Sequence, residues 1–156
     1  MKLFKFINKQ LLHKYYIFKY GIKFGISFKQ MLVHDLSKFS YTEIKGYVYN
    51  NGNEDLYIAA WNHHLKNNKH HSEYWVIPDK KNPKKILTLD MPEKYIREMI
   101  VDWHSAGMAY VGKDDVEDWL ADNHDRFNLS DNTKIILIKI LKEIGKDNLI
   151  QYFTGK

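Results

Sequence analysis

Residues 3–20 read LFKFINKQLLHKYYIFKY, and their spacing decides the fold class. Phe4, Ile7, Leu11, Leu12, Tyr15, Tyr16 and Phe18 recur three and four residues apart, the period of a helix with an apolar stripe, and Gly21 and Gly25 mark its end. The pattern repeats downstream. A second helix is expected from Ser27 to about Leu36. Ser40-Tyr41-Thr42-Glu43 has the spacing of a capping box and opens a third, to about Tyr49. Asn50-Asn51-Gly52-Asn53 is a turn, and a fourth helix follows from Glu54 to about Lys66. Pro92 suits the first position of a fifth helix, which ends near Ser105 before Ala106-Gly107. Asp114 to Asn123 reads as a short helix. Ser130 or Asp131 caps the last one, Asn132 to about Lys142, whose apolar content (Ile135, Ile136, Leu137, Ile138, Ile140, Leu141) is close to all-round and implies burial. Residues 67–90, with Pro78 and Pro83, lack a period and read as one long irregular loop, a feature often functional in compact domains. No repeat and no useful alternating strand pattern is present. The expectation is an all-α protein, a single compact domain of about six to seven helices spanning 1–156.

Composition narrows the chemistry. With no cysteine, disulfides, thiolate zinc sites, iron–sulfur clusters and a cysteine nucleophile are excluded, so any metal is held by His, Asp and Glu. Lysines interrupt the N-terminal aromatic stretch, which therefore lacks the apolar run of a signal peptide, and no run approaches the ~20 residues of a membrane span. A cytoplasmic protein without a membrane partner is expected, in the host cytoplasm if phage-encoded. Net charge is +5, concentrated in Lys2–Lys45 and Lys80–Lys85. The interleaved aromatics from Phe4 to Phe28 fall at helical spacing and are expected in the core, with the lysines on the solvated face. Nucleic acid is thereby disfavoured, while a positive field still suits a phosphorylated substrate. Trp61, Trp103 and Trp119 are read as core, and His104 and His124 as surface.

Eight histidines are present, and their company matters more than their number. His63, His64, His70 and His71 crowd into one short segment, and His34 is followed directly by Asp35. Neighbours on a helix point about 100° apart, so His34 and Asp35 converge only at a helix end or between helices. Upstream lies His13 and downstream Asp102, each on its own expected helix.

The order His13, His34-Asp35, Asp102 resembles the metal site of the HD-domain phosphohydrolase superfamily. His34-Asp35-Leu36-Ser37-Lys38 is similar to its His-Asp-x-Gly-Lys version, with Ser37 where Gly is usual. His64 and His70-His71 resemble the extra histidines of the two-metal subgroup, although their gap is shorter. The blocks from His34 to Ser40, Ala60 to His64, Asn68 to Trp75, and Met91 to Trp103 are similar to a family of small, uncharacterised HD-like proteins of bacteria and phages. The resemblance implies a compact HD-like helical domain. It implies that His13, His34, Asp35 and Asp102 hold a first divalent ion, with Asp35 bridging to a second held by His64, His70 and His71. His63 is the alternative to His64, and helix phase does not separate them. One or two ions are expected, Mn, Fe, Zn, Ni or Mg.

The reaction implied is hydrolysis of a small phosphorylated substrate, a nucleotide or cyclic nucleotide, with Asp35, Lys38 and Glu98 as the catalytic group. A divalent ion lowers the pKa of its water from 15.7 to about 7, and two ions stabilise attacking and leaving oxygens. Lys38, Lys69 and Arg97 would neutralise phosphoryl charge, and Trp75, beside Tyr74, would wall the pocket. Glu98 lies one helical turn before Asp102 and either orients a ligand histidine or forms a surface ion pair. Two other readings fit the residues, an HD-fold di-iron oxygenase and a non-catalytic, metal-stabilised binding protein.

Overall fold

A computed structural model describes residues 2–154, and these are all-α apart from one short hairpin. Helix α1 (Lys2–Phe24) is longer than its sequence suggests, because Gly21 is carried inside it; the break comes at Gly25, whose left-handed backbone (φ 78) reverses the chain. Helix α2 (Phe28–Val33) opens with a full capping box: the Ser27 hydroxyl accepts from the Gln30 N–H, and the Gln30 side chain accepts from the Ser27 N–H. Helix α3 (Tyr41–Val48) begins at Ser40, which caps the Glu43 N–H, but the Glu43 carboxylate turns inward instead of closing a box. Helix α4 (Glu54–Asn67) packs closely antiparallel to α3. A Cβ at Gly46 would collide with Ala60 and the Leu56 carbonyl, so the glycine sets how near α4 can approach.

The segment expected to be an irregular loop is partly ordered. A 3₁₀ turn (Ser72–Trp75) leads into strands β1 (Val76–Pro78) and β2 (Ile86–Thr88), antiparallel with Val76 opposite Thr88. Three-residue strands are too short to leave a period-two pattern. Helices α5 (Glu93–Ala106), α6 (Val116–Asn123) and α7 (Asp131–Glu143) follow, with Pro92 as the cap of α5 rather than its first turn.

The apolar core lies between α1, α5, α6, α7 and the C-terminal 3₁₀ turn. Ile17 and Phe24 meet Ile96, Ile100 and Trp103 of α5, Leu120 of α6, Leu137, Ile140 and Leu141 of α7, and Leu149 and Phe153. Each such side chain contributes about 1.5–3 kcal/mol by leaving water. Two expectations are corrected. Helix α7 is one-sided, since Ile135 is exposed while Leu137 and Ile140 are buried. Helix α1 buries Gln10, His13, Ile17, Gly21 and Phe24, leaving Phe4, Leu11 and Tyr15 in solvent. Both its faces are apolar, so periodicity identified a helix without identifying its inner side.

Candidate metal centre

The His34-Asp35 pair converges because α2 stops before it. His34 leaves the helix with ψ 126, and Asp35 takes the left-handed region with φ 57, a conformation that Asp tolerates better than most residues. The helix expected to reach Leu36 therefore ends at Val33. Lys14 of α1 fixes this turn: its ammonium bonds the carbonyls of Met31 (3.1 Å), Leu32 (3.2 Å) and His34, the favoured cation position at a helix C-terminus.

Two groups of metal-ligating side chains share Asp35. In the first, His13 Nε2 lies 3.1 Å from Asp102 Oδ1 and 3.3 Å from His34 Nε2. His34 Nε2 lies 3.3 Å from Asp102 Oδ1 and 3.6 Å from Asp35 Oδ2. Ligand atoms about 2.1 Å from one cation sit roughly 3.0 Å apart in an octahedron and roughly 3.4 Å apart in a tetrahedron. In the second group, Asp35 Oδ1 lies 3.6 Å from His64 Nε2 and 3.5 Å from His70 Nε2, and His71 Nε2 lies 2.9 Å from His64 Nε2. Asp35 Oδ1 and His70 Nε2 are buried without a hydrogen-bond partner. Such atoms are costly, and a cation between them would satisfy both. The donor set fits a divalent ion in each group.

Two carboxylates sit behind the imidazoles. Glu98 receives the Nδ1 faces of His34 (3.0 Å) and His70 (3.4 Å) and the Gln30 amide (3.1 Å). Glu43 receives His64 Nδ1 (3.0 Å) with one oxygen and His63 Nδ1 (2.8 Å) with the other. The network assigns the proton to Nδ1 in His34 and His64 and leaves Nε2 toward the shared centre. Glu98 thus lies on the Nδ1 side of the His34 and His70 rings, with which it forms a third group of ligating side chains. His64 joins the cluster, while His63 is turned away to Glu43.

Electrostatics follow from this packing. Burial opposes charge on His34, but Asp35, Asp102 and Glu98 outweigh it and raise its pKa to about 9. Burial works against the charge on Asp35 too, yet His34 and Lys38 hold it well below the carboxylate range, and hydrogen bonds from His13 and His34 do the same for Asp102. Glu98 is lowered to about 2 by His34 and His70 against its own burial. Burial lowers His13 and His71, which favours the neutral, lone-pair form a ligand needs. Lys38 stays cationic despite burial, with its Nζ 2.7 Å from Asp35 Oδ2.

Two clefts reach the cluster. One of ≈ 330 Å³ runs along Trp61, Tyr110, Trp119 and Arg126 down to His71 and Asp102. A narrower one of ≈ 270 Å³ reaches Lys38, His64, His71 and Asp102 past Gln10 and Tyr110. Tyr110 stands between them on a π-helical turn (Gly107–Val111) that follows α5, its ring stacked on His13 at 5.5 Å.

Several expected roles move. Arg97 is tied to Glu93 (2.8 Å) and Glu143 (2.6 Å), away from both clefts. Lys69 lines a separate cavity on the Nδ1 side of His34 and His70. Trp75 donates its indole N–H to the Lys69 carbonyl and packs on Tyr95, so it walls neither cleft. Trp61, expected in the core, lines the wider cleft instead, while Trp119 packs against the core beside Trp103 and also faces that cleft. His104, expected at the surface, is buried beside Tyr20 and bonded to Asp114 (2.6 Å). Glu43, Tyr110 and Arg126 were not singled out by sequence. Glu43 was hidden by its capping spacing, and the other two carry no local signal. Among the described residues no helix is long and apolar enough to cross a membrane.

The family described as a family of unknown function, DUF5662, matches residues 2–143, and the chain belongs to it. No curated protein and no solved structure matches the chain.

Proposed function

We propose that this DUF5662 member is a metal-dependent phosphohydrolase of the HD-domain kind, acting on a small phosphorylated substrate such as a nucleotide or cyclic nucleotide. The observation that carries the reading is one carboxylate serving two ligand groups, with Asp35 Oδ2 toward His34 and Oδ1 toward His64 and His70. The nitrogen and oxygen donors suit Mn, Fe, Zn or Ni, and suit Mg less, because Mg prefers oxygen. When bound, such ions polarise the phosphoryl group and lower the pKa of a water.

The chain's own residues supply the rest. Lys38 Nζ, permanently charged at the floor of the narrower cleft, balances charge on the transferring phosphoryl oxygens. Glu98 and Glu43 hold the Nδ1 protons of His34, His70 and His64, so that each Nε2 keeps its direction. Trp61, Tyr110 and Trp119 offer apolar faces to a flat base, and Arg126, bonded to Glu73 (3.1 Å) and lying over the Trp61 ring, closes the rim. Burial of His13, His34 and His70 keeps their rings out of bulk solvent, and Asp102 and His71 face the two clefts.

The test is phosphate release from a nucleotide panel by purified protein with Mn²⁺, Co²⁺ or Ni²⁺. Activity that vanishes in Asp35→Ala supports the reading; release unchanged in Asp35→Ala overturns it. Three imidazoles in the second group also suit iron. Two irons with an EPR signal after anaerobic purification would therefore move the reading to a di-iron oxygenase. Bound zinc, lowered melting in His34→Ala and no turnover would mark a non-catalytic binding protein.

A further inference from the structure

We propose that the outward face of α1 and α2 docks on an anionic lipid surface. The inference rests on the outer shell of the fold and does not depend on what the metal centre does. It also departs from the sequence reading, which expects no membrane partner.

The first observation is an unpartnered apolar stripe. Phe4, Leu11, Tyr15 and Ile22 repeat at four- and seven-residue spacing along α1, on the side away from His13, Ile17 and Phe24, with Phe18 in the same row but half-buried against the edge of the core. Ile22 is 74 % exposed and Phe4 68 %, values that decide against a core role. Phe18 meets Phe28 of α2 with ring centroids 5.7 Å apart, which joins the stripe to Phe28, Leu32 and Val33, all exposed. Seven large exposed apolar side chains on one surface exceed the scatter usual on a soluble monomer.

The second observation is charge. Residues 2–34 contain seven lysines and not one carboxylate. Lys14 is spent on the α2 carbonyls, and the other six are exposed. Lys5, Lys19 and Lys23 lie about 60–110° around α1 from the stripe, and Lys29 follows Phe28. Long lysine stems lie along apolar surface while their ammonium groups reach outward.

The combination selects the partner. A second copy, docked face to face, would set lysines against lysines, because the one carboxylate lining a cavity with Ile22 and Lys23, Glu143, is already bonded to Arg97 (2.6 Å). A nucleic acid would use the ammonium groups but leave Leu11, Ile22 and Leu32 without an apolar partner. An anionic leaflet uses both: headgroups meet the lysines, and the acyl boundary takes the stripe to the depth that interfacial helices reach. Helix α1, at 23 residues, is about 34 Å long and would lie flat in that plane. The ligand His13 projects from the opposite side of α1, so docking leaves the clefts open.

The experiment is co-sedimentation of the full chain with vesicles of phosphatidylcholine, with and without an equal share of phosphatidylglycerol. Binding to the anionic vesicles only, weakening with salt, is expected. Leu11→Ser with Ile22→Ser should lower partition at least about tenfold, and Lys19→Gln or Lys23→Gln about fivefold each. Ile135→Ser, equally exposed on α7, should change nothing. Should the Leu11/Ile22 pair melt early, Phe28→Ser on α2 is read in its place. No partition overturns the proposal. So does binding that follows the lysines but ignores the apolar residues, which marks a general polyanion site. A dimer seen by light scattering that the Leu11/Ile22 pair splits also overturns it, with a second copy as the occupant.

Discussion

The two ligand groups that share Asp35 are built differently. The first takes His13 from α1, His34 and Asp35 from the turn after α2, and Asp102 from α5. It comprises two imidazoles and two carboxylates, drawn from distant parts of the chain, and exists only once three helices have packed. The second takes His64 from α4 and His70 and His71 from the segment just beyond it, three imidazoles with one shared carboxylate oxygen. Apart from Asp35 it is local in sequence, and its outer supports are Glu43 behind His64 and Glu98 behind His70. Two carboxylates neutralise a divalent cation more fully than one does. The first group should therefore hold its ion more tightly, and the second should exchange its ion first.

The largest expected effect removes what the groups share. Asp35→Ala should drop bound metal from two ions per chain to less than one, read by elemental analysis, and cut phosphate release about 10³-fold or more. Retention of two ions would break the picture of a shared carboxylate. Next come the two halves. His64→Ala should leave the tighter ion in place and remove the weaker, so the chain keeps one ion through dialysis. His13→Ala should do the reverse and leave the remaining ion easily dialysed. Equal retention in both variants would show that the halves do not differ in the way their donors suggest.

The first half was legible because its members keep their order and type on strong helical segments: His13 in the 3–20 repeat, His34-Asp35 at a helix end, Asp102 on the helix after Pro92. Convergence of adjacent residues needed a helix end, and the left-handed Asp35 supplies it in a way no spacing shows. The second half was legible as a histidine cluster but not in its choice of His64 over His63. Glu43 holds both Nδ1 atoms, and the choice is made by packing: His64 is buried with its Nε2 toward Asp35 and His71, while His63 stays half-exposed. Arg97 and Trp75 have the right chemistry for a pocket, but the fold commits them to Glu143 and to the Lys69 carbonyl. Arg126, Trp119 and Tyr110 reach the cleft through α6, the turn after it and a π turn, which depend on packing that a linear pattern does not encode.

Smaller effects separate the outer supports. Glu98→Gln keeps the shape but lets the side chain offer one acceptor where two oxygens stood. Metal affinity should fall by about 10–100-fold. Because Glu98 touches both His34 and His70, both ions should weaken. Glu43→Gln contacts only the second group through His64, so titration should show one ion weakened and the other unmoved. A variant pair that weakens the same ion equally would place the two supports behind one group.

The smallest effect is one of pH, and it too distinguishes the groups. In the metal-free protein, His34 carries a proton held by Asp35, Asp102 and Glu98, with a folded-state pKa of about 9 against an ordinary 6.5. A pKa raised on folding means the folded state binds the proton more tightly. The contribution is complete below about pH 6.5 and is lost as pH rises through about 9. His13 and His71, lowered by burial, act in the opposite window, where they favour unfolding as pH falls below 6.5. Between pH 7 and 9.5 the melting temperature of metal-stripped protein should thus fall by roughly 3–8 °C. With metal loaded, His34 Nε2 is occupied by the ion and has no proton to lose, so the same scan should be nearly flat. A fall of equal size with and without metal would place His34 outside the first group.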